Sequence, residues 1–447
     1  MLSGAEDIIN QHDPQNSTTP SYCEDKLTSR HCTSISTGAI LLADILPMLF
    51  VKLTLPLYME KIPIEYGHFP NYLFLFNLQA NFSIRHGIIV VCAAVALFIV
   101  AFASDITMAL SGVVLASFSS GLGEVSYISF TSYFGRSAVS AWSSGTGGAS
   151  IFGSLIYAGL TEPHFAHLSP KNALLLMLCI PAILTITYGL ILVIPKSIYR
   201  IKIYDPRTWK VPQWYLKGEV EKEAKQDVEQ DSFRKTSDCQ LQNATLNDIN
   251  NEESCILQRQ LTTFERLYIV LPLLKYMIPL TTVYFAEYLI NQGLVQLIIF
   301  DCSSGLNLGL TSQYRWYQVL YQSGVFISRS TSGFYNMPSW LLYLLPLFQM
   351  MNAVFFFFIA KYLFIPHIGI LLALIFLEGI IGGSSYVNTF KHIYSKVSGY
   401  SDKLLVEPDT REFSLSAASL SDTFGVAVAG CLALPTHNYI CKTPFPH

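Results

Sequence analysis

Glu287 stands inside a long apolar run, residues 267–300, with Asn291 and Gln292 close behind it. At helical spacing Tyr284, Glu287, Asn291 and Leu294 fall on one stripe, at i, i+3, i+7 and i+10. An acidic side chain at the centre of a membrane helix costs about 2.5 kcal/mol or more, so such groups usually face a bundle interior or a wet cavity. This stripe can bind a proton through its acid. Tyr288, Asn291 and Gln292 in the same stretch bring further hydrogen-bonding groups. The competing reading of Glu287 is a plain hydrogen bond to a neighbouring helix.

A second stripe lies in residues 314–334, where Gln318, Gln322, Val325 and Arg329 recur at i, i+4, i+7 and i+11. An arginine presents a planar fork that suits phosphate or carboxylate. Arg329 reads equally well as a positive anchor at a helix end. Other ionisable groups in apolar surroundings are Asp44, Lys52, Glu124, Lys275, Glu378 and Asp422. Asp44, Glu124, Glu287 and Glu378 are candidates for proton coupling. For Glu124 and Glu378 a structural hydrogen bond competes with that role, and for Asp44 a pairing with Lys52 two turns away. Lys52 and Lys275 are expected to snorkel to an interface.

The elements that must position these groups are membrane helices. The 447 residues are 51% hydrophobic and 13% charged, against about 25% charged in soluble domains. Apolar runs of bilayer length cover 37–59, 87–104, 106–134, 140–160 and 173–194, then 267–300, 314–334, 340–360, 367–390 and 413–434. The expectation is an all-α polytopic membrane protein of about ten transmembrane helices in two halves, 37–194 and 267–447. Residues 1–36 form a polar leading segment, and 195–266 a polar, partly disordered loop rich in Lys and Arg at its start. Placing that loop in the cytoplasm puts 60–86, 135–139 and 391–412 there too, which gathers most Lys and Arg on one side. Residues 1–36 are then luminal, with a usable glycosylation sequon at Asn16. No signal peptide delivers them, so a helix is expected to be missing from the front.

The halves resemble each other in one place. Glu124, then Ser126-Tyr127, Arg136 and a small-residue helix match Glu378, then Ser385-Tyr386, Arg411 and a second small-residue helix. This pairs the third and fourth spans with the ninth and tenth, as in repeat-built transporters with a site between the repeats. Chance is the alternative, because Gly and Ser are frequent in membrane helices. Gly145, Ala149 and Gly153, and likewise Gly379 and Gly383, make smooth strips for close helix packing.

Several classes are set aside. Ser143 and Ser144 have no plausible His/Asp partners, so no hydrolase is expected. No metal-ligand spacing occurs among the nine cysteines, and no cofactor is called for. No basic stripe points to nucleic acid. Cys23 and Cys32 flank a polar segment and are a candidate disulfide.

Longer motifs carry a resemblance. LLADILPMLFVKL (41–53), WSSGTGGA (142–149), VYFAEYLINQGL (283–294), QYRWYQVLYQSGVFISRS (313–330), EGIIGGSSYVNTF (378–390) and REFSLSAASLSDTFG (411–425) resemble the battenin family over nearly the whole chain. The resemblance implies a major-facilitator-like bundle in the lysosomal or vacuolar membrane. It also implies a role in clearing glycerophosphodiesters from the lysosome, and in lysosomal pH and arginine balance. Glu287 and Arg329 stand where the family motif has its intramembrane Glu and its Arg. Three departures accompany it: the family's preceding helix, a C-terminal prenylation signal after Cys441, and a counterpart for 62–86 are all missing. The expected partners are the bilayer, a small anionic or zwitterionic solute, and trafficking proteins at 195–266, where an acidic dileucine-like stretch (252–257) stands. A non-transporting scaffold acting through that loop is the alternative function.

Overall fold

The computed structural model describes residues 37–58, 82–134, 136–162, 165–192, 263–331, 337–395 and 410–445, with Asp25, Leu27, Ser29, Arg30 and Cys32. The expectations for Asn16, the Cys23 end of a disulfide, 252–257 and the central loop up to residue 262 lie outside the described residues. Ten helical segments follow in order among the described residues. In the first half these are α1 (Thr37–Tyr58), α2 (Phe82–Ala101), α3 (Ile106–Phe130), α4 (Arg136–Thr161) and α5 (Pro170–Ile191). The second half has α6 (Thr263–Leu289, continued by Ile290–Leu297), α7 (Leu310–Thr331), α8 (Ser339–Tyr362), α9 (Ile368–Ser395) and α10 (Arg411–Cys441).

Seven of them, α1, α3, α5, α6, α8, α9 and α10, are long and apolar enough to cross a membrane. The other three are of similar length, 20 residues in α2, 26 in α4 and 22 in α7. Two of these depart from plain apolarity for a packing reason. The Gly/Ser helix α4 and the Tyr/Gln/Arg helix α7 lie against each other, each hiding polar surface the other supplies. The protein is thus an all-α, multi-pass membrane protein.

Within the first half α3 packs on α1 and α2. In the second, α9 packs on α7, and α6 packs on α8 and α10. The halves meet along α4 with α7, α1 with α10, α4 with α9, and α3 with α10. Under the pairing of α3–α4 with α9–α10, α1 and α7 are counterparts. The contact α4–α7 then maps onto α10–α1, and α4–α9 onto α10–α3. The packing therefore has the exchange symmetry that the weak sequence repeat requires.

Backbones approach closely where glycine allows it. A Cβ on Gly379 would run into the carbonyl oxygen of Tyr321, and one on Gly324 into that of Phe376, so α7 and α9 touch backbone to backbone. The Gly379–Gly383 strip packs as expected. The strip at 145–153 does not: Gly145 and Gly153 have nothing within 4 Å of a built Cβ. On α4 the close approach falls instead on Gly147, whose built Cβ lies 3.2 Å from both Phe326 Cα and Arg329 Cδ. Spacing four apart marks a smooth face, but the partner helix lies on the adjacent one.

One end of the bundle is tied together by the segment before α1. Cys32 is disulfide-bonded to Cys441, with Cα atoms 6.1 Å apart and a sequence separation of 409. The Cys23–Cys32 pairing is thereby overturned, since chain proximity does not decide which sulfurs meet. Arg30 donates to the carbonyls of Ala360 at 2.8 Å and Thr443 at 3.3 Å, and to that of Lys361. Thr37 at the start of α1 donates through N (3.1 Å) and Oγ1 (2.7 Å) to Gln296 Oε1 at the end of α6. At the same end the α6–α7 loop is fixed by Asp301, which accepts from Ser304 N at 2.8 Å, Ser304 Oγ at 2.6 Å and Ser303 Oγ at 2.9 Å. These donors hold its carboxyl below the usual carboxylate range.

Candidate functional site

The α6 stripe meets α7 and α9 through its side chains. Hydrogen bonds run along α6 and α7 like rungs, in antiparallel order: Tyr314 OH to Gln292 Oε1 at 3.0 Å, Tyr321 OH to Glu287 Oε1, and Arg329 Nη2 to Tyr284 OH at 2.9 Å. The order follows from sequence. Tyr314, Tyr317 and Tyr321 recur at i, i+3 and i+7, so α7 offers a phenol face to the polar stripe of α6. Below them Tyr317 OH reaches Ile298 O at 3.1 Å and Gln313 brackets the backbone of Phe300.

Glu287 is 1% exposed. Its carboxylate rests against Gly382 of α9, where any side chain would collide with it. Asn291 sits in a π-helical turn, Ile290–Leu294. Such turns widen a helix locally and often occur at functional positions. Its Nδ2 donates to Glu287 O at 3.1 Å and to Glu378 Oε1 of α9 at 2.8 Å. Tyr288 is half-buried and stacks on Tyr284, ring centroids 6.0 Å apart. Gln292 is taken up by Tyr314 and, through its carbonyl, by Thr37 Oγ1 at 2.9 Å. Gln318 is buried, and its Nε2 makes no hydrogen bond among the described residues.

Arg329 is held between the halves. Its Nη1 donates to Thr146 Oγ1 of α4 at 2.9 Å, and its guanidinium lies over the Tyr386 ring, 4.1 Å from the centroid. The anchor reading of Arg329 fails on this geometry, since the side chain turns inward. Tyr284 links it to the α6 stripe, three residues before Glu287.

Lys52 does not snorkel. It is 1% exposed and sits between two acids, 2.8 Å from Glu124 Oε2 and 3.1 Å from Asp422 Oδ1, and it also donates to Ser419 O at 2.9 Å. The expected Asp44 pairing is therefore replaced by Glu124 and Asp422; Asp44 stays half-buried on α1. Tyr386 OH donates to Glu124 Oε1 at 3.3 Å. One continuous chain results, from Lys52 through Glu124 and Tyr386 to Arg329 and Tyr284. A buried lysine is tolerated because its two carboxylates and a carbonyl replace water. Lys275, by contrast, is exposed, as snorkelling requires.

Of the sequence candidates, Glu287, Asn291 and Glu378 come together, and Arg329 joins them through Tyr284. Glu124 belongs to the Lys52 cluster. Sequence reading missed Lys52, Asp422, Tyr321, Tyr386 and Thr146 as members of the site. The tyrosine period on α7 was the one available signal. The Lys52–Asp422 pairing had none, because its partners are 370 residues apart.

The family model for CLN3 protein matches residues 1–443. Battenin of the dog, Canis lupus familiaris, is 37% identical over 451 residues, covering 99% of this chain and 87% of that protein. Protein btn-1 of Neurospora crassa is 32% identical over 435 residues, covering 92% and 83%. Protein BTN1 of Chaetomium globosum is 31% identical over 433 residues, covering 92% and 82%. Among solved structures, the fucose:proton symporter of E. coli overlaps loosely, with a TM-score of 0.38 and 13% identity over 91% of this chain and 94% of that one. The chain belongs to the CLN3 protein family.

Proposed function

We propose that this protein is a membrane transporter that moves a small anionic or zwitterionic solute between its two helical halves by alternating access. The solute class is a glycerophosphodiester, and the direction is export from the lysosome. The observation that carries the reading is the placement of Arg329. Its guanidinium sits where the halves meet, held by the hydroxyls of Thr146 and Tyr284 and by the face of Tyr386. Those are neutral contacts that orient the guanidinium, and a phosphodiester can add charge-assisted bonds to the same fork.

The neighbouring groups suit the rest of such a solute. Tyr288, Asn291 and Gln292 supply hydrogen-bonding groups for glycerol hydroxyls, and Gln318 has an amide nitrogen to offer. Glu287 orients the solute or couples its movement to protons. Membership in the CLN3 family supports a transport role in a membrane. Lysosomal location, and support of lysosomal pH and arginine balance, follow the battenin resemblance. A disulfide at the Cys32–Cys441 end suits an oxidising lumen, which agrees with the Lys/Arg asymmetry.

The test is uptake of a radiolabelled glycerophosphodiester into proteoliposomes. Wild type should transport, and Arg329→Ala should lose most of that activity. An inactive wild type, or an unaffected Arg329→Ala, defeats the reading.

A further inference from the structure

Among the buried oxygens of α6 and α9 that lack a hydrogen-bond partner among the described residues, three belong to carboxylate or amide groups: Glu287 Oε2, Asn291 Oδ1 and Glu378 Oε2. The three residues are 1%, 2% and 0% exposed. They form one cluster. Asn291 Nδ2 bonds Glu378 Oε1 at 2.8 Å, and Glu287 packs on Gly382, one helical turn beyond Glu378. Neither Glu287 nor Glu378 makes an ion pair among the described residues, where Lys52 is committed to Glu124 and Asp422. The cluster is thus rich in acceptors, with the Tyr321 hydroxyl and the Asn291 amide as its donors. Two carboxylates buried in one cluster do not both stay ionised, since each opposes the other and burial disfavours the charged form.

The amide fixes where the missing hydrogen goes. Asn291 already uses its nitrogen arm on Glu378 Oε1. Its oxygen arm and Glu378 Oε2 are the remaining arms of two planar groups, and both lack partners. With the two planar groups paired edge to edge through the Nδ2–Oε1 bond, a hydrogen on Glu378 Oε2 would give Asn291 Oδ1 a donor, so one proton can serve both atoms. Flipping the amide is worse, because its oxygen would then face two acceptors, Glu378 Oε1 and Glu287 O.

We propose that Glu378 is the proton carrier of this protein, holding its proton on Oε2 against Asn291, with Glu287 as the adjacent acid that receives it. The idea rests on the transporter reading for its purpose, though not for its chemistry. The bound species is a proton rather than Ca2+ or Mg2+, because these hard cations take about six or more oxygen ligands and this cluster has three unpartnered ones. The other titratable and charged groups around it are Tyr284, Tyr288 and Tyr321, Arg329 through Tyr284, Tyr386 on α9 against Tyr284, Asp422 on α10 acting on Glu287, and Asp44 on α1 acting on Tyr288. Loss of the proton opposes two acceptors across the Asn291–Glu378 pair. That strain falls on the π-helical turn of α6, so the proton state is tied to the shape of the helix lining the solute path.

Infrared difference spectra of the full-length protein in lipid nanodiscs, taken across a pH series, test the proton site without any solute. The C=O band of a protonated carboxylic acid should be present in wild type and absent in Glu378→Gln. It should persist in Glu124→Gln and move to higher frequency in Asn291→Ala. A band that survives Glu378→Gln and ignores Asn291→Ala overturns the proposal. Gln at 378 brings its own N–H to the same arm, so this variant is expected to fold as wild type does.

A second arm uses radiolabelled glycerophosphocholine in proteoliposomes. Glu378→Gln should lose accumulation driven by a pH gradient, and lose it by a larger factor than it loses equilibrium counterflow. Gradient-driven accumulation by Glu378→Gln equal to wild type overturns the proposal. A wild type that moves no solute defeats the transporter reading alone, while the infrared result still decides the proton site.

Discussion

Arg329 donates from Nη2 to the hydroxyl of Tyr284 at 2.9 Å, which ties the inter-half cation to the helix face that carries Glu287. Tyr284→Phe removes only that hydroxyl. With the bond worth about 1 kcal/mol, apparent affinity for the solute should fall roughly fivefold, while the protein stays folded. The concentration dependence of uptake measures this. An unchanged half-saturation would show that Tyr284 does not position Arg329.

The Lys52 cluster makes a stability prediction. Lys52→Met leaves Glu124 and Asp422 facing each other with their shared cation gone, which should cost about 3–5 kcal/mol. Thermal unfolding in detergent should therefore drop sharply for the single variant. Adding Glu124→Gln and Asp422→Asn removes both stranded charges and should restore most of the loss. If the triple variant is no more stable than the single one, charge stranding is not the cause.

Helix approach gives a third. Gly379→Val forces a side chain into the backbone of α7, so the expected penalty is about 1–3 kcal/mol, or failure to fold. Gly145→Val meets open space and should behave as wild type in the same melts. Equal effects at the two sites would contradict the packing of α7 on α9.

How far the sequence reveals this molecule can be argued from those same positions. The ten helical segments were legible because bilayer-length apolar runs depend on local composition. The α6 stripe was legible because helical spacing puts Tyr284, Glu287 and Asn291 on one face wherever that face points. What the face meets was not. Lys52 reads as a snorkelling lysine until Glu124 and Asp422 arrive from other helices. Gly145 and Gly153 share a face, yet the partner helix chose Gly147. Cys32 finds Cys441 because the position before α1 and the end of α10 lie at one end of the bundle, a property of topology that no local pattern encodes.

The cross-bundle strap can be checked covalently. A protease site placed within 195–262 separates Cys32 from Cys441 in sequence. Because Cys302 is also disulfide-bonded, the experiment is done in a Cys302→Ser background. After cleavage the halves should run as one band without reductant and as two with it. Adding Cys32→Ser should give two bands under both conditions, and persistence of one band would refute the Cys32–Cys441 bond.

The central claim is that Arg329 binds the anion of a transported solute at the meeting of the halves. Its most direct test is uptake of a radiolabelled glycerophosphodiester by proteoliposomes containing wild type, Arg329→Lys or Arg329→Ala. Lysine keeps the charge but loses the planar fork, so the account predicts graded loss, with wild type most active, lysine reduced and alanine near background. Equal uptake by all three would contradict it.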